Sequence, residues 1–178
     1  MYRFALAGVI SLVAATTGGT VLITVEEALE QAFPDAMTKR ETLFLSDDQQ
    51  TEVEEKSGAD VSSALATRYV AKGEDGAVLG WAYLDTHRVR TLPETLMVVL
   101  GADGAVRRVE VVTFREPLEY MPRDGWYAQY ERQELDDDLA LKRGIRPVTG
   151  ATLTARATTE AVRRVLAIHA VVEREATP

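Results

Sequence analysis

Two pairs of strand-forming segments in the middle of the chain restrict its fold more than any other feature. The first pair covers residues 66–71 and 78–84, and the second covers residues 96–100 and 106–114. A short connection containing Gly and Asp separates the members of each pair, and the Asp-Gly turn in the second connection is typical of a hairpin. Because hairpins join antiparallel neighbours, the sequence predicts an antiparallel sheet.

Helical patterns lie on both sides of these strands. Residues 25–32 carry apolar side chains at helical spacing, and residues 46–57 begin with Ser46, a typical N-cap residue. This second segment is polar and rich in Glu, so we expect it on the surface. A final helix with one apolar face is predicted from about Thr154. The predicted fold class is α+β, an antiparallel sheet with flanking helices, and residues 25–178 are predicted to form a single domain.

The first 24 residues differ in composition from the remainder. Arg3 precedes residues 4–24, which contain no charged side chain. A basic start followed by an apolar stretch resembles a secretory signal, and about 20 apolar residues can also span a bilayer. A buried core helix is the alternative, and the Thr and Gly residues at 16–20 disfavour it. We therefore expect residues 1–24 to be a signal peptide or an apolar membrane-anchor helix, with the domain on the extracytoplasmic, periplasmic side.

Charge and cysteine content exclude several functions. The formal net charge is -8, and the basic residues are scattered, which argues against binding to nucleic acid. The chain contains no cysteine, so disulfides, thiol catalysis and iron–sulfur ligation are excluded. If the protein carries out redox chemistry, an organic cofactor must supply it.

One short motif precedes the final helix. Thr149-Gly150-Ala151-Thr152 combines a turn-forming glycine with two threonine hydroxyls beside a helix N-terminus. The first N–H groups of a helix lack intrahelical acceptors, and the helix dipole adds partial positive charge there. The motif therefore predicts a site for an anion such as a phosphate.

Three further features accompany this motif. Residues 109–120 read as a strand that runs into a Glu-Pro loop, followed at a short distance by Trp126 and Gln129. The order of strand pair, Glu-Pro loop, Thr-Gly-Ala-Thr motif and final helix extends over residues 80–170. The chain resembles the FMN-binding domain family both in the order of these segments and in the Thr-Gly-Ala-Thr motif. That family is best known from the covalent-flavin subunits of the sodium-translocating NADH:quinone oxidoreductase and of the Rnf complex.

The resemblance implies a cofactor and a route to its attachment. The cofactor would be FMN, joined to Thr152 through a phosphodiester bond by a separate flavin transferase that uses FAD and a divalent metal. Thr154 is the second candidate for the acceptor hydroxyl. The domain would relay electrons between redox protein partners, in a membrane complex or beside one. Beyond Thr152, the predicted cofactor-binding residues are Arg90, Thr91, Glu116, Pro117, Leu118, Tyr120, Trp126, Arg146, Thr149, Gly150, Ala151, Leu153 and Thr154.

The polar segment 85–95 is the source of two of these residues. It contains two arginines, a histidine and three threonines between two predicted strands, and it offers hydrogen-bond donors to a flavin. In an extended segment Arg88 and Arg90 share one face, and His87 lies on the other. A solvated hairpin connection is the alternative. The second histidine, His169, falls on the apolar face of the final helix and is expected to be a hydrogen-bonded core residue.

Arg146 departs from the pattern of the family. Members usually place Asp three residues before the first Thr of the motif, and the acidic residue belongs to the pattern linked to covalent attachment. Arg146 leaves open non-covalent FMN, or a flavin-free scaffold or interaction subunit of a membrane redox complex. It could also pair with the flavin phosphate. A flavin enzyme acting on a small substrate is a further alternative, but no acid/base pair in a recognisable spacing supports it.

Overall fold

A computed structural model describes residues 20–176 of the chain. Six antiparallel strands form one sheet in the order β1-β6-β5-β4-β3-β2, and three α-helices and two 3₁₀ helices accompany it. The predicted α+β class is confirmed. The strands are β1 (Thr20–Val21), β2 (Met37–Phe44), β3 (Leu65–Lys72), β4 (Val78–Arg88), β5 (Pro93–Gly101) and β6 (Val106–Phe114). The helices are α1 (Val25–Ala32), α2 (Asp47–Ser57), α3 (Thr152–Ala176) and the 3₁₀ helices Leu118–Tyr120 and Asp124–Tyr130.

Each face of the sheet buries a separate apolar cluster. The long helix α3 covers one face, where Val162 and Val165 pack among strand residues such as Leu96 and Val98. The short helix α1 covers part of the other face with Ala28, Leu29 and its C-cap residue Phe33. Burial of this apolar surface is the main contribution to stability. Packing of α3 on the sheet also positions the N-terminus of this helix, and with it the Thr-Gly-Ala-Thr motif.

The helix boundaries follow the capping signals in the sequence. Thr24 and Glu27 form a capping box at α1, and Ser46 and Gln49 form the equivalent box at α2. Gly58 ends α2 with φ 67°, a left-handed conformation that glycine adopts without a Cβ clash. The predicted helices 25–32 and 46–57 are confirmed.

Two features of the sheet differ from the prediction. Strand β4 continues to Arg88 and β5 begins at Pro93, so most of the polar segment 85–95 is strand and not connection. Strand β2 was not predicted. Six of its eight residues are exposed and the other two are partly buried, because β2 is an edge strand that contacts neither α1 nor α3 over most of its length.

The predicted N-terminal segment lies mostly outside the described residues, which begin at Thr20. Thr20 and Val21 pair with Phe114 and Thr113 of β6, and the Leu22 N–H donates to the Val112 carbonyl over 3.0 Å. These contacts attach the residues before α1 to the edge of the sheet. Within residues 20–176, no helix has the length and apolar character needed to cross a bilayer.

Candidate functional site

The tip of the β4–β5 hairpin is held by Glu116, which follows β6. One Glu116 carboxylate oxygen accepts backbone hydrogen bonds from Arg90 at 3.2 Å, Thr91 at 2.7 Å and Leu92 at 2.8 Å. The N–H donors of Leu92, Thr91 and Arg90 lower the pKa of Glu116, because they stabilise its ionised form. Glu116 was predicted to be a cofactor-binding residue, and it fixes the loop that carries Arg90.

The Thr-Gly-Ala-Thr motif forms the turn into α3. Gly150 has φ 85°, and a Cβ at this position would project into open space. The first intrahelical hydrogen bond runs from the Ala155 N–H to the Ala151 carbonyl. The N–H groups of the three preceding helical positions therefore have no acceptor within the helix, as expected for the first turn. The turn leaves these donors available to a bound anion.

The hairpin tip and the motif enclose a cavity of about 180 Å³. Seven of the predicted residues line it, namely Arg90, Tyr120, Gly150, Ala151, Thr152, Leu153 and Thr154. The Arg90 guanidinium carbon lies 5.0 Å from the centre of the Tyr120 ring, a cation–π contact that holds the side chain over the cavity. Arg90 makes no ion pair with any other residue of the described chain, and its charge therefore remains uncompensated.

The two threonines that could accept the flavin occupy different environments. Thr154 is 1% exposed, and its hydroxyl donates to the Tyr120 carbonyl over 2.5 Å. Thr152 is exposed at the cavity rim, and its hydroxyl donates to the Val148 carbonyl over 3.1 Å. Thr154 therefore anchors α3 to the 3₁₀ helix Leu118–Tyr120, and Thr152 offers the accessible hydroxyl.

A second set of contacts fixes the segment before the motif. The Trp126 indole N–H donates to the Arg146 carbonyl over 2.7 Å, and the Gln129 amide oxygen accepts from the Arg146 backbone N–H at 2.9 Å. The same oxygen accepts from the Arg146 guanidinium at 3.1 Å. Trp126 and Gln129 thus hold Arg146 mainly through its backbone. The Arg146 side chain is exposed and does not line the cavity.

The remaining predicted residues lie around the cavity without lining it. They are Thr91 and Glu116 at the hairpin tip, Pro117 and Leu118 before Tyr120, Trp126 beside Arg146, and Thr149 at the turn. Leu118 and Leu153 are large apolar side chains that are about half exposed. They provide apolar surface next to the rim.

A larger groove of about 640 Å³ lies elsewhere, along β6. It is lined by charged residues such as Arg107, Arg108, Glu110 and Glu131, and it contains no residue of the motif. Arg108 already pairs with Glu110 at 2.6 Å. The smaller cavity is the better candidate because the helix N-terminus, the uncompensated arginine and the exposed hydroxyl converge there.

The structure also contains a buried charged group that was not predicted, which we call the site-end cluster: Asp85, His87, Glu94 and Arg164. His87 contacts Asp85 through Nδ1 at 2.9 Å and Glu94 through Nε2 at 3.1 Å. Arg164 of α3 donates two hydrogen bonds of 2.8 Å to Asp85. The alternation Asp85, Thr86, His87 is the only sequence signal for this cluster, since it places the two titratable side chains on one face of a strand.

These features match the requirements of a flavin phosphate. Free N–H groups at a helix start and a guanidinium are the donors that phosphate prefers, and Thr152 adds a hydroxyl. A cavity of about 180 Å³ is too small for a whole flavin nucleotide, so the ring would rest on the outer surface near Leu118 and Leu153. The residues present fit a nucleotide that is held by its phosphate with the ring at the surface.

Comparison with known proteins identifies the class of this domain. The family model of the FMN-binding domain matches residues 92–167, from the hairpin tip to the middle of α3. The match indicates a flavin-binding domain over these residues, similar to the FMN-binding domain family, with FMN as the cofactor. Comparison of the chain with curated proteins and with solved structures gave no match.

Proposed function

We propose that the protein carries FMN covalently on Thr152 and relays electrons between redox partners outside the cytoplasm. The observation that supports covalent attachment is the position of Thr152. Its exposed hydroxyl stands at the rim of the cavity that holds Arg90 and the first turn of α3, whereas the Thr154 hydroxyl is buried. A transferase needs an accessible hydroxyl next to the place where the phosphate will rest.

In the attachment step, FAD would donate its FMN half to Thr152. The Thr152 oxygen forms a bond to the phosphorus of the FMN half, the bond from that phosphorus to the AMP half breaks, and AMP leaves. The hydroxyl proton is released to solvent or to a base of the transferase. After the reaction, the N-terminal turn of α3 and Arg90 would compensate the charge of the phosphodiester.

A surface-held flavin suits transfer between proteins. FMN accepts two electrons and can release them one at a time. Residues of the chain would determine the electrostatic surroundings of the flavin. Arg90 places a positive charge at the cavity, and Glu116 fixes the loop that carries Arg90. The partners would be redox proteins, with the membrane reached through the N-terminal segment. The cavity at the motif has a volume of about 180 Å³ and is already assigned to the phosphate, so it offers no specific support for a small-substrate enzyme.

The decisive experiment is in-gel flavin fluorescence after coexpression with a flavin transferase. We expect a fluorescent band for the natural chain and none for Thr152→Val. The matched control is Thr149→Val, which removes the other exposed hydroxyl of the motif and should keep the fluorescence. Fluorescence that persists in Thr152→Val would show that the acceptor is another residue.

Arg146 provides a test of the flavin-free alternative. Trp126 and the Gln129 oxygen hold the backbone of Arg146, so Arg146→Asp restores the acidic residue typical of the family without removing those contacts. Fluorescence in Arg146→Asp but not in the natural chain would mean that Arg146 blocks the transferase. A natural chain that binds no FMN in either form would favour the scaffold.

A further inference from the structure

The contacts of His87 require more protons than a neutral imidazole provides. Each ring nitrogen of His87 lies within hydrogen-bond distance of a carboxylate oxygen. Nδ1 contacts Asp85, and Nε2 contacts Glu94. A neutral imidazole carries one N–H and can donate to only one of them. The second hydrogen bond needs one additional proton, located either on His87 or on Glu94. The two placements contain the same number of protons, and the proton can move along the contact between Nε2 and the Glu94 oxygen.

Burial of Glu94 strengthens this requirement. Its side chain is fully buried, and its second carboxylate oxygen has no hydrogen-bond partner among the described residues. An ionised carboxylate in that position would be costly. Burial accordingly raises the pKa of Glu94, although the contact with His87 opposes the change. Asp85 differs, because His87 and Arg164 outweigh its burial and lower its pKa.

Every element packed around His87 contributes to this charge balance. Asp85 lies beside it on β4, Glu94 faces it from β5, and Arg164 reaches Asp85 from α3. Burial, with a smaller contribution from the charge of Glu94, raises the pKa of Tyr130 in the 3₁₀ helix Asp124–Tyr130, so that hydroxyl stays neutral. Arg164 and Asp85 compensate each other. With the additional proton, His87 and Glu94 together are also neutral, and without it the interior carries one uncompensated negative charge.

The site-end cluster lies close to the tip of the same hairpin, and that tip forms one wall of the cofactor cavity. His87 and Glu94 are paired residues of β4 and β5, and only residues 88–93 separate them, with Arg90 at the tip. On the other side, a narrow slot of about 70 Å³ lined by Asp85, Thr86 and Arg164 reaches the cluster from the surface. Protons can therefore enter from solvent beside Asp85.

We propose that Asp85, His87 and Glu94 form a buried proton-binding site whose affinity rises when negative charge is added in the neighbouring cofactor cavity. The second half of this inference rests on the proposed FMN site. FMN binding and flavin reduction both add negative charge near the hairpin tip, and a nearby negative charge favours the protonated cluster. By linkage, protonation of the cluster would favour the reduced flavin in turn. Electrons come from the external reductant, and the proton comes from water.

Histidine NMR of the full chain tests the proton site without cofactor. The chain contains two histidines, so the spectrum has two imidazole signals to assign, and His87→Gln identifies one of them. We expect His87 to stay protonated past neutral pH and to titrate near 9, as its two carboxylate contacts outweigh burial. His169, whose pKa burial lowers, is the internal comparison. Release of the shared proton changes the His87 signals in either placement, so the absence of any His87 transition above the ordinary value of about 6.5 would overturn the proton site.

A carboxamide variant separates proton binding from structure. Glu94→Gln keeps the size of the side chain and can still hydrogen-bond His87, but it removes the negative charge. We expect the midpoint of His87 to fall by about one pH unit or more. The matched control is Glu173→Gln, which alters the surroundings of His169 and should leave His87 unchanged. An unchanged His87 midpoint in Glu94→Gln would contradict the shared proton.

The coupling is tested by repeating the titration on FMN-loaded protein, oxidised and then reduced with dithionite. We expect the His87 midpoint to rise by about 0.3 pH units or more on loading and to rise again on reduction. Loaded protein in which His87 does not shift would overturn the coupling. Failure to bind FMN at all would instead contradict the proposed function, and the cofactor-free titration would still decide whether the proton site exists.

Discussion

The interface between the sheet and α3 contains two polar clusters, and they differ in which charged groups are buried. In the site-end cluster, Asp85 and Glu94 are carboxylates that contact His87 in the interior. The second cluster, which we call the far-end cluster, lies nearer the C-terminal end of α3 and consists of Arg68, Glu41, Glu173, Tyr83 and His169. There Arg68 is the buried charge, and its partners Glu41 and Glu173 remain about 30% exposed.

The two histidines show the result of this difference. Burial alone would lower the pKa of either one. At the site end, the contacts with Asp85 and Glu94 outweigh burial and raise the pKa of His87 to about 9. At the far end, the Nδ1 atom of His169 lies 3.1 Å from the neutral Tyr83 hydroxyl, and burial lowers its pKa. The site end thus favours the protonated form of its histidine and the far end the neutral form, although both histidines lie against the same helix.

The largest expected effect comes from removing Asp85. Asp85→Ala would leave Arg164 and His87 without their shared partner in the interior, and we expect a loss of about 3–5 kcal/mol in the free energy of unfolding. Urea denaturation followed by circular dichroism measures it. The matched far-end variant, Arg68→Met, should cost less, about 1–2 kcal/mol, because water can solvate Glu41 and Glu173. Equal losses at both ends would contradict the comparison.

Stability should depend on pH with opposite signs for the two histidines. Because the folded pKa of His87 is raised, its contribution is complete below the unfolded value of about 6.5 and is lost as pH rises from there through about 9. The loss should be roughly 3 kcal/mol. The folded pKa of His169 is lowered, so its contribution is present above about 6.5 and is lost as pH falls below it.

Urea denaturation across this pH range separates the two contributions. His87→Gln should flatten the alkaline loss of stability and leave the acid side unchanged. His169→Gln should do the reverse. An alkaline loss that persists at full size in His87→Gln would mean that another group of the interior is responsible.

Local signals in the sequence were sufficient for most of the fold but not for the site-end cluster. The turns between strands and the N-cap residue Ser46 act over a few residues, so they could be recognised directly. Arg164 and Asp85 are 79 residues apart and meet only after α3 packs on the sheet. The cavity is an intermediate case. The Thr-Gly-Ala-Thr motif could be recognised in the sequence, but its distance from Arg90 depends on the register of β4 and β5.

A smaller effect is expected at the hairpin tip, beside the site end. Glu116→Gln replaces a charged acceptor of three backbone N–H groups with a neutral one, which should cost about 1–2 kcal/mol in the free energy of unfolding. The tip should also exchange faster, and hydrogen exchange of the Thr91 and Leu92 amides measures this change. Unchanged protection of these two amides would show that the register of β4 and β5 holds the tip without Glu116.

The smallest effect is expected beyond the far-end cluster, near the C-terminal end of α3. Arg174 contacts Glu52 of α2 through two nitrogens, one of them at 2.7 Å, but both side chains reach solvent. Salt and water screen such a pair, so Arg174→Gln should produce no measurable change in the urea midpoint at 0.5 M NaCl and at most a small decrease at low salt. The comparison with Asp85→Ala is direct, because each variant removes one partner of a two-point arginine–carboxylate contact. A loss in Arg174→Gln that approaches the Asp85→Ala value and resists salt would show that contact geometry, and not burial, determines the strength of both pairs.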